Sequence, residues 1–527
     1  MVEKIQSKSH PSHYLVHKYW GRKAHNLVAA YLEHYSKKGD VVLDPFMGSG
    51  GVVIESKRLG RTGVGVDINP ITKLIVENTL ADIDIDALLA THSKLIESIP
   101  AELINLATTK CPTCDKKSKL LNAAWDGESI VRVKGRCETD GIFVQDAAED
   151  DLKLAKQGAK LLKKYSAEKD FYYPKDKIFQ FVRRNGKSHI HHLFSDRNLL
   201  IAAYLLREIR KISDPLIRDQ FLMAFTSMLP NISSMIPVDM QNVTGKSGWQ
   251  ISKFWVPKQH TEKNVIDSFN SRLKVIEKAK RETANIFSSV DHQAVIASAE
   301  DLHFLKNDSI DYIFTDPPYG DSIAYLGLSM FWNSWLKYDV DYEAEIIYDT
   351  YRSKDAIDYS RRLVNAFSEA YRVLKPGKFM SFTFHNRHVK FWKIVIGAVL
   401  DNGFEMKTVV WQPQAVSSGT QGINRKNTLK GDFVYTFQKP IKASVKHGLP
   451  DTEGESKVLM LMERILNEQE HVETPHFYEQ LIPVLVKDRA FLDKSGKILN
   501  IDGVLKKNFE YANIDADDED RYGWKKF

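Results

Sequence analysis

Two stretches far apart in the chain carry residue types able to do chemistry. The first, Asp44-Pro45-Phe46-Met47-Gly48-Ser49-Gly50-Gly51, follows the apolar run Val41-Val42-Leu43. Gly48 and Gly50 let a backbone adopt positive φ and approach a ligand closely. The next apolar segment, Gly63-Val64-Gly65-Val66, stops at Asp67, where a carboxylate can accept both hydroxyls of a ribose. That combination suits an adenosyl cofactor, and the absence of a Gly-Lys-Ser/Thr ending disfavours a triphosphate. The second stretch is Asp316-Pro317-Pro318-Tyr319-Gly320-Asp321, reached through Ser309-Ile310-Asp311-Tyr312-Ile313-Phe314-Thr315. Its prolines stop either strand or helix from continuing. Asp316 is therefore held at a strand end beside a ring that can stack on a flat substrate.

These residues need a rigid frame, and the flanking periodicities supply one. After the glycine turn, Val52, Val53, Ile54 and Leu59 predict a helix ending near Gly60, and a second helical pattern runs through Asn78. Strand, glycine turn, helix, strand and acidic residue, in that order, open a doubly wound α/β sheet whose ligand lies at the carboxyl ends of its strands. Upstream, Leu27, Tyr31 and Tyr35 recur every four residues as in a helix. Downstream, 326–335 reads as a helix with Phe331 and Trp332 in the core, and 371–384 as a helix end, a Pro-Gly turn and a strand. Val409-Val410-Trp411 and Phe433 to Phe437 supply two last strands, closing the fold by residue 440.

Length and composition bound the remaining possibilities. A chain of 527 residues suggests roughly three domains, or one catalytic domain with large insertions. Hydrophobic residues at 43% and charged ones at 27% fit a globular protein rather than a disordered or membrane one. No signal-peptide-like or membrane-length apolar run is present, so a cytoplasmic protein is expected. The net charge of +6 permits nucleic-acid binding without demanding it. Three cysteines cannot build a disulfide framework, and the spacing of Cys111 and Cys114 is that of metal ligands.

Asp-Pro-Phe-x-Gly-x-Gly paired with Asp-Pro-Pro-Tyr resembles the amino-methyltransferases of DNA, the adenine-N6 and cytosine-N4 enzymes. The resemblance implies a Rossmann-like class I methyltransferase sheet that binds S-adenosylmethionine, with cofactor contacts from Asp44, Phe46, Gly48 and Gly50 and from Asp67 at the ribose. Asp316, Pro317, Pro318 and Tyr319 are then the catalytic tetrad. The segment His17 to Asn26 looks like the family's cofactor-flanking N-terminal motif, which places Trp20 or Lys23 by the methionine part of the cofactor. The competing reading of those two is a core aromatic and a surface cation. Asp301 falls where the family's third motif meets the adenine ring, with Glu300 as its competitor. An aspartate opening the tetrad favours adenine-N6 over cytosine-N4, by family tendency. The Pro-Cys pair of ring-carbon cytosine methyltransferases is absent, since Cys111 precedes its proline. An RNA guanine-N2 methyltransferase and an inactive nucleic-acid-binding scaffold of a defence system are the other readings.

The expected domains are catalytic over 1–80 and 291–440, a large α+β insertion over 81–290 and a C-terminal helical extension over 441–527. An insertion between cofactor and catalytic motifs matches the family's alpha order, in which the intervening segment recognises the DNA target. Within it, Phe171-Tyr172-Tyr173-Pro174, Arg183-Arg184-Asn185-Gly186-Lys187 and Gly245-Lys246-Ser247-Gly248-Trp249-Gln250 mix aromatic, basic and glycine residues suited to phosphate and base contacts, or are solvated loops. Residues 198–212 read as an amphipathic helix capped by Ser195 or Asp196. Cys111-x2-Cys114 and Cys137-x2-Asp140, within 108–142, look like a zinc ribbon with one thiolate replaced. Either these four bind zinc or the ribbon is held by packing. His189, His191 and His192 lack a spaced partner set and read as surface or substrate-facing residues. Beyond Ile441 come polar helices over 455–468 and 475–486 and an acidic stretch over 515–520. The expected partners are DNA and a restriction or defence-system protein.

Overall fold

The structure is a computed structural model that describes residues 2–179, 187–246, 248–249, 254–320, 323–386, 388–413, 431–442, 452–514 and 522–527. Arg183, Arg184, Asn185, Gly186, Ser247, Gln250, Asp321 and the acidic stretch 515–520 lie outside the described residues.

Seven strands form the central sheet: β1 (Val41–Asp44), β2 (Thr62–Asp67), β3 (His292–Ile296), β4 (Ile310–Thr315), β5 (Leu374–Phe384), β6 (Glu405–Pro413) and β7 (Gly431–Gln438). Their spatial order is β3-β2-β1-β4-β5-β7-β6. The first five are parallel, and β7 runs antiparallel to both of its neighbours. Every residue of β4 is buried, as expected of a strand covered on both faces. From β1 the chain steps outward to β2 and β3, then returns to lay β4 on the other side of β1. The carboxyl ends of β1 and β4 thus flank the crevice where a doubly wound sheet binds its ligand. Val42 lies opposite Tyr312 and Leu43 opposite Ile313, so the glycine turn and the Asp-Pro-Pro-Tyr turn leave the sheet side by side.

Three helices frame the first half: α1 (His25–Tyr35), α2 (Gly51–Arg58) and α3 (Pro70–Leu80). The insertion between α3 and β3 holds helices α4 (Asp196–Ile209), α5 (Pro215–Ile232) and α6 (Val265–Thr283) and an antiparallel sheet of five strands. Four of those strands are Thr108–Lys110, Lys117–Asp126, Ser129–Cys137 and Gly141–Asp146, and Gln259–Lys263 pairs with the second. Ser195 caps α4 by accepting the Asn198 N–H at 3.3 Å. The helix is not amphipathic, because Arg197 through Leu206 are all buried. Its polar members are satisfied inside the core: Arg197 pairs with Glu262 at 2.7 Å, and the Asn198 amide donates to the carbonyls of Ile232 and Lys263.

Helix α7 (Tyr325–Leu336), directly after the tetrad, buries Phe331, Trp332 and Trp335 in one cluster with α4, α5 and α6. It therefore couples the reactive turn to the insertion. Helices α8 (Ala356–Val373) and α9 (Val389–Asp401) cover the other half of the sheet. The tail folds as α10 (Gly454–Glu468), α11 (Thr474–Lys487) and α12 (Ile501–Asn508), followed by a hairpin of Glu510–Asn513 and Tyr522–Lys525. Leu461, Met462, Phe477, Leu481 and Leu485 join the same core as β5, β7, α8 and α9. The tail thus buries an apolar stripe against the sheet domain, where the sequence suggested polar helices. Among the described residues no helix is long and apolar enough to cross a membrane.

Candidate active site

At the crevice between β1 and β4 lies a cavity of roughly 1060 Å³, mouth included, lined by residues from both motifs. Asp44, Phe46, Gly48 and Asp67 reach it from the glycine side, Asp316 and Pro318 from the tetrad. Two hydrogen bonds lock the halves together. The Thr315 hydroxyl donates to Asp44 Oδ1 at 2.6 Å, and the Asn69 amide after β2 donates to Ser329 Oγ of α7 at 2.7 Å.

Gly48 sits at φ +51, and a Cβ there would stand 3.3 Å from the Tyr19 ring, so the turn requires glycine. Its N–H donates to Asp67 Oδ2 at 2.8 Å, and Asn69 N–H donates to Oδ1 at 2.9 Å. These bonds fix the Asp67 carboxylate at the pocket wall and oppose the effect of burial, which raises its pKa to about 6. Burial likewise raises Asp44 to about 7, against hydrogen bonds from Thr315 and from the Phe46 N–H. An open glycine cradle beside an oriented carboxylate at a strand end fits an adenosyl group.

Gly50 is absent from the lining. It lies at φ +78 and a Cβ would come within 2.2 Å of Val76 Cγ2, so its role is the close packing of α2 on α3. Asp301 also turns away from the cavity: its side chain is 65% exposed and its carboxylate accepts from the backbone and ring of His303. Glu300 is engaged by Arg362 and Asn365. Neither carboxylate lines the pocket; Ser298 and Ala299 do. Trp20 borders the cavity while its ring packs on Trp249 and Trp332, with centroids 5.0 and 5.1 Å away. This is the core-aromatic reading, and Trp249, 3% exposed, is likewise a core residue rather than a base contact.

Around Asp316 the structure assembles a network that sequence spacing did not reveal. Asp316 Oδ1 accepts from the Tyr319 hydroxyl at 2.7 Å and from Thr383 Oγ1, while Lys23 Nζ stands 3.3 Å from Oδ2. Lys23 also donates to Tyr319 Oη at 2.8 Å and to Asp432 Oδ2 at 2.9 Å, and His385 Nδ1 meets Asp432 Oδ1. Lys23 lines the cavity and bridges two carboxylates, so it is not a surface cation. Burial alone would lower its pKa, but Asp316 and Asp432 hold it above the ordinary lysine value. Burial pushes Asp316 up, with Lys23 opposing and Asp432 adding to the rise. For Asp432, Lys23 and His385 overcome burial and hold the carboxyl well below the usual range. Asp432 is thus paired with both Lys23 and His385, and the Asp316 carboxylate, which lines the cavity, is the group placed to stabilise positive charge arriving there. The Tyr359 hydroxyl donates to the Pro318 carbonyl and the Asn386 amide to the Tyr319 carbonyl. Of the four residues of the tetrad, Asp316 and Pro318 line the cavity, whereas Pro317 and Tyr319 stand behind them.

His189, His191 and His192 cluster with centroids 4.2 to 5.6 Å apart, away from the cavity. Cys111, Cys114, Cys137 and Asp140 converge at one end of the insertion sheet. Tyr172 of the aromatic patch bonds the Ser334 carbonyl at 2.7 Å under Lys337, joining the insertion to the end of α7.

The sheet order and the paired turns define a Rossmann-like methyltransferase fold with an Asp-Pro-Pro-Tyr site. A family model described as DNA methylase, of the N6/N4 methyltransferases, matches residues 2–78 and 310–513. That is just over half of the chain, and the chain belongs to this family. The match extends through α10 to α12, which ties the tail to the family region. Among curated relatives, the type II methyltransferase M.MjaII of Methanocaldococcus jannaschii is 23% identical over 326 residues, 59% of each chain. The type II methyltransferase M.BsoBI of Geobacillus stearothermophilus is 27% identical over 112 residues, covering 20% of this chain and 22% of that one. The chain therefore spans less than two thirds of the length of either relative. A SAM-dependent methyltransferase structure from Methanosarcina mazei aligns at 12% identity with a TM-score of 0.19, over 33% of this chain and 79% of that one.

The Asp67 geometry carries a pH prediction. If its carboxylate must be ionised to accept ribose hydroxyls, a pKa of about 6 makes the cofactor Kd flat above pH 7 and raises it about tenfold per unit well below pH 6. Calorimetric titration of S-adenosylmethionine or its homocysteine product from pH 5 to 8 measures this. Asp67→Asn should bind weakly with no such slope; a slope surviving in that variant would assign the titration to another group.

Proposed function

We propose that the chain is a cytoplasmic, site-specific DNA methyltransferase that methylates the exocyclic amine of an extruded base, with adenine-N6 as the target. S-adenosylmethionine, held by Gly48, Phe46 and Asp67, supplies an electrophilic methyl group on a sulfonium. The observation that carries the reading is the convergence of Asp316 and Asp67, from turns at adjacent strand ends, on one cavity.

An exocyclic amine is a poor nucleophile because its lone pair is delocalised into the ring. Asp316 and the Pro317 carbonyl each accept one N–H, which aims the lone pair along the direction of attack and favours a pyramidal nitrogen. As the methyl arrives, the nitrogen gains positive charge, and the Asp316 carboxylate stabilises it. Lys23 holds Tyr319 at its hydroxyl end, 2.8 Å away, which fixes the ring beside Asp316. Base extrusion exposes the amine, and residues 81–290 are assigned to target recognition. The preference for adenine rests on aspartate opening the tetrad. A companion restriction nuclease is proposed on family grounds alone.

Incubation with labelled cofactor and, separately, duplex DNA, single-stranded DNA and tRNA, followed by digestion to nucleosides, tests the proposal. Label in N6-methyladenine of DNA is the expected result. Label in N4-methylcytosine would keep the reaction and change the base, and label only in guanosine of tRNA would overturn the DNA assignment.

A further inference from the structure

The insertion sheet has very little core of its own. Its buried apolar residues form two small clusters, Leu120, Ala123, Ile130 and Val133 in one and Ala124 with Val238 and Val243 in the other, too few to hold the outer end of a multistranded sheet in place. At that end two hairpin turns come together. One joins Thr108–Lys110 to Lys117–Asp126 and carries Cys111 and Cys114; the other joins Ser129–Cys137 to Gly141–Asp146 and carries Cys137 and Asp140. The pairing of Lys119 with Arg136 sets the turns beside each other.

We infer that Cys111, Cys114, Cys137 and Asp140 form a structural zinc site that staples these two turns. The inference stands apart from the methyl-transfer reading and rests on geometry. One ligand atom from each of the four residues lies within 4.8 Å of all the others. Cys114 Sγ is 3.6 Å from Cys137 Sγ, and Asp140 Oδ2 is 3.3 Å from the sulfurs of both Cys111 and Cys137. A tetrahedral Zn(II), with Zn–S of about 2.3 Å and Zn–O of about 2.1 Å, spaces its sulfurs about 3.8 Å apart and a sulfur from an oxygen about 3.6 Å apart. The three observed separations lie slightly inside that tetrahedron and the remaining pairs lie within 4.8 Å, so movements of an ångström or less seat the ion. An iron–sulfur cluster would spread some ligand sulfurs to roughly 6 Å or more, beyond the observed limit. All three cysteines are free, and Cys111 and Cys137 are buried. Three sulfurs and a carboxylate oxygen supply the anionic donor set that zinc takes, its thiols giving up their protons to the ion. Four protein ligands close the coordination sphere, which assigns the ion to structure rather than catalysis. Zinc is favoured over iron(II) and cobalt(II) by the affinity order of divalent metals at such ligands.

The test uses the full chain, purified without chelators. Elemental analysis should return about one zinc per chain. Stripping with a chelator and adding Co(II) should give thiolate-to-cobalt charge-transfer absorption and the intense visible bands of a tetrahedral site. Cys114→Ser, at the least buried of the three cysteines, should lower zinc content below about 0.2 per chain, while Asp140→Cys should retain it. Wild-type protein without zinc and without a tetrahedral cobalt spectrum overturns the inference whether or not the variants fold. So does iron in place of zinc, or a Cys114–Cys137 disulfide found by mass spectrometry.

Discussion

Asp316→Ala is expected to lower the methyl-transfer rate by about 10³- to 10⁴-fold, with the Kd for S-adenosylmethionine within about threefold of wild type. The two halves of this expectation have separate causes. The rate falls because one of two acceptors that orient the amine is gone, along with a negative charge placed where the nitrogen becomes positive. Cofactor affinity persists because Gly48, Phe46 and Asp67 reach the cavity from the other turn. The variant should fold, since Lys23 keeps Asp432 at 2.9 Å and is not left as an uncompensated charge. Single-turnover measurements with saturating cofactor isolate the chemical step. Transfer at the wild-type rate would remove Asp316 from catalysis, and a Kd weakened in proportion to the rate would make it a cofactor ligand.

The second large effect concerns stability. Arg197 of α4 and Glu262 of the insertion sheet are 3% and 5% exposed, with Nε and Nη2 each 2.7 Å from a different carboxylate oxygen. Trp125 Nε1 donates to the same carboxylate at 2.7 Å, as does the Ser195 hydroxyl. Burial alone would raise the Glu262 pKa, but Arg197 and these donors hold it below the ordinary value. Arg197→Met leaves a buried carboxylate without its counter-charge, a loss of about 3–5 kcal/mol. Adding Glu262→Leu should restore much of that loss, because the uncompensated charge disappears. In a chain of this size unfolding is not all-or-none. Native-state hydrogen exchange over 117–146 and 196–209 is therefore the measurement, with exchange in β1 and β4 expected to change little. Equal protection of Arg197→Met and wild type would show that the pair does not hold the sheet to α4.

The motif turns were legible because their signals are local. Glycines that need positive φ, a proline pair that stops a strand and apolar runs ending in a carboxylate are each properties of a few contiguous residues. β1, β2, β4, β5, β6 and β7 all lie on segments that sequence periodicity marks, whereas β3 and the spatial order of the strands came from the structure. Asp432 was not found, although it carried a signal: a lone acidic residue entering the otherwise apolar strand Phe433 to Phe437. Its meaning depends on β7 lying beside β5, which puts Phe433 opposite Phe384 and brings Asp432 to His385 and Lys23.

By itself the sequence determined which residues could form an adenosyl cradle and a rigid acceptor pair, and that both would sit at strand ends of a doubly wound sheet. Only the tertiary structure decided how the polar groups between them are shared. It gave Lys23 to two carboxylates, turned Asp301 outward to His303, drew Trp20 and Trp249 into a core, and buried the tail's apolar stripe on the sheet. The physical reason is that backbone conformation is set within a few residues, whereas burial and charge pairing are competitions among side chains hundreds of positions apart. Packing of the whole chain settles those competitions.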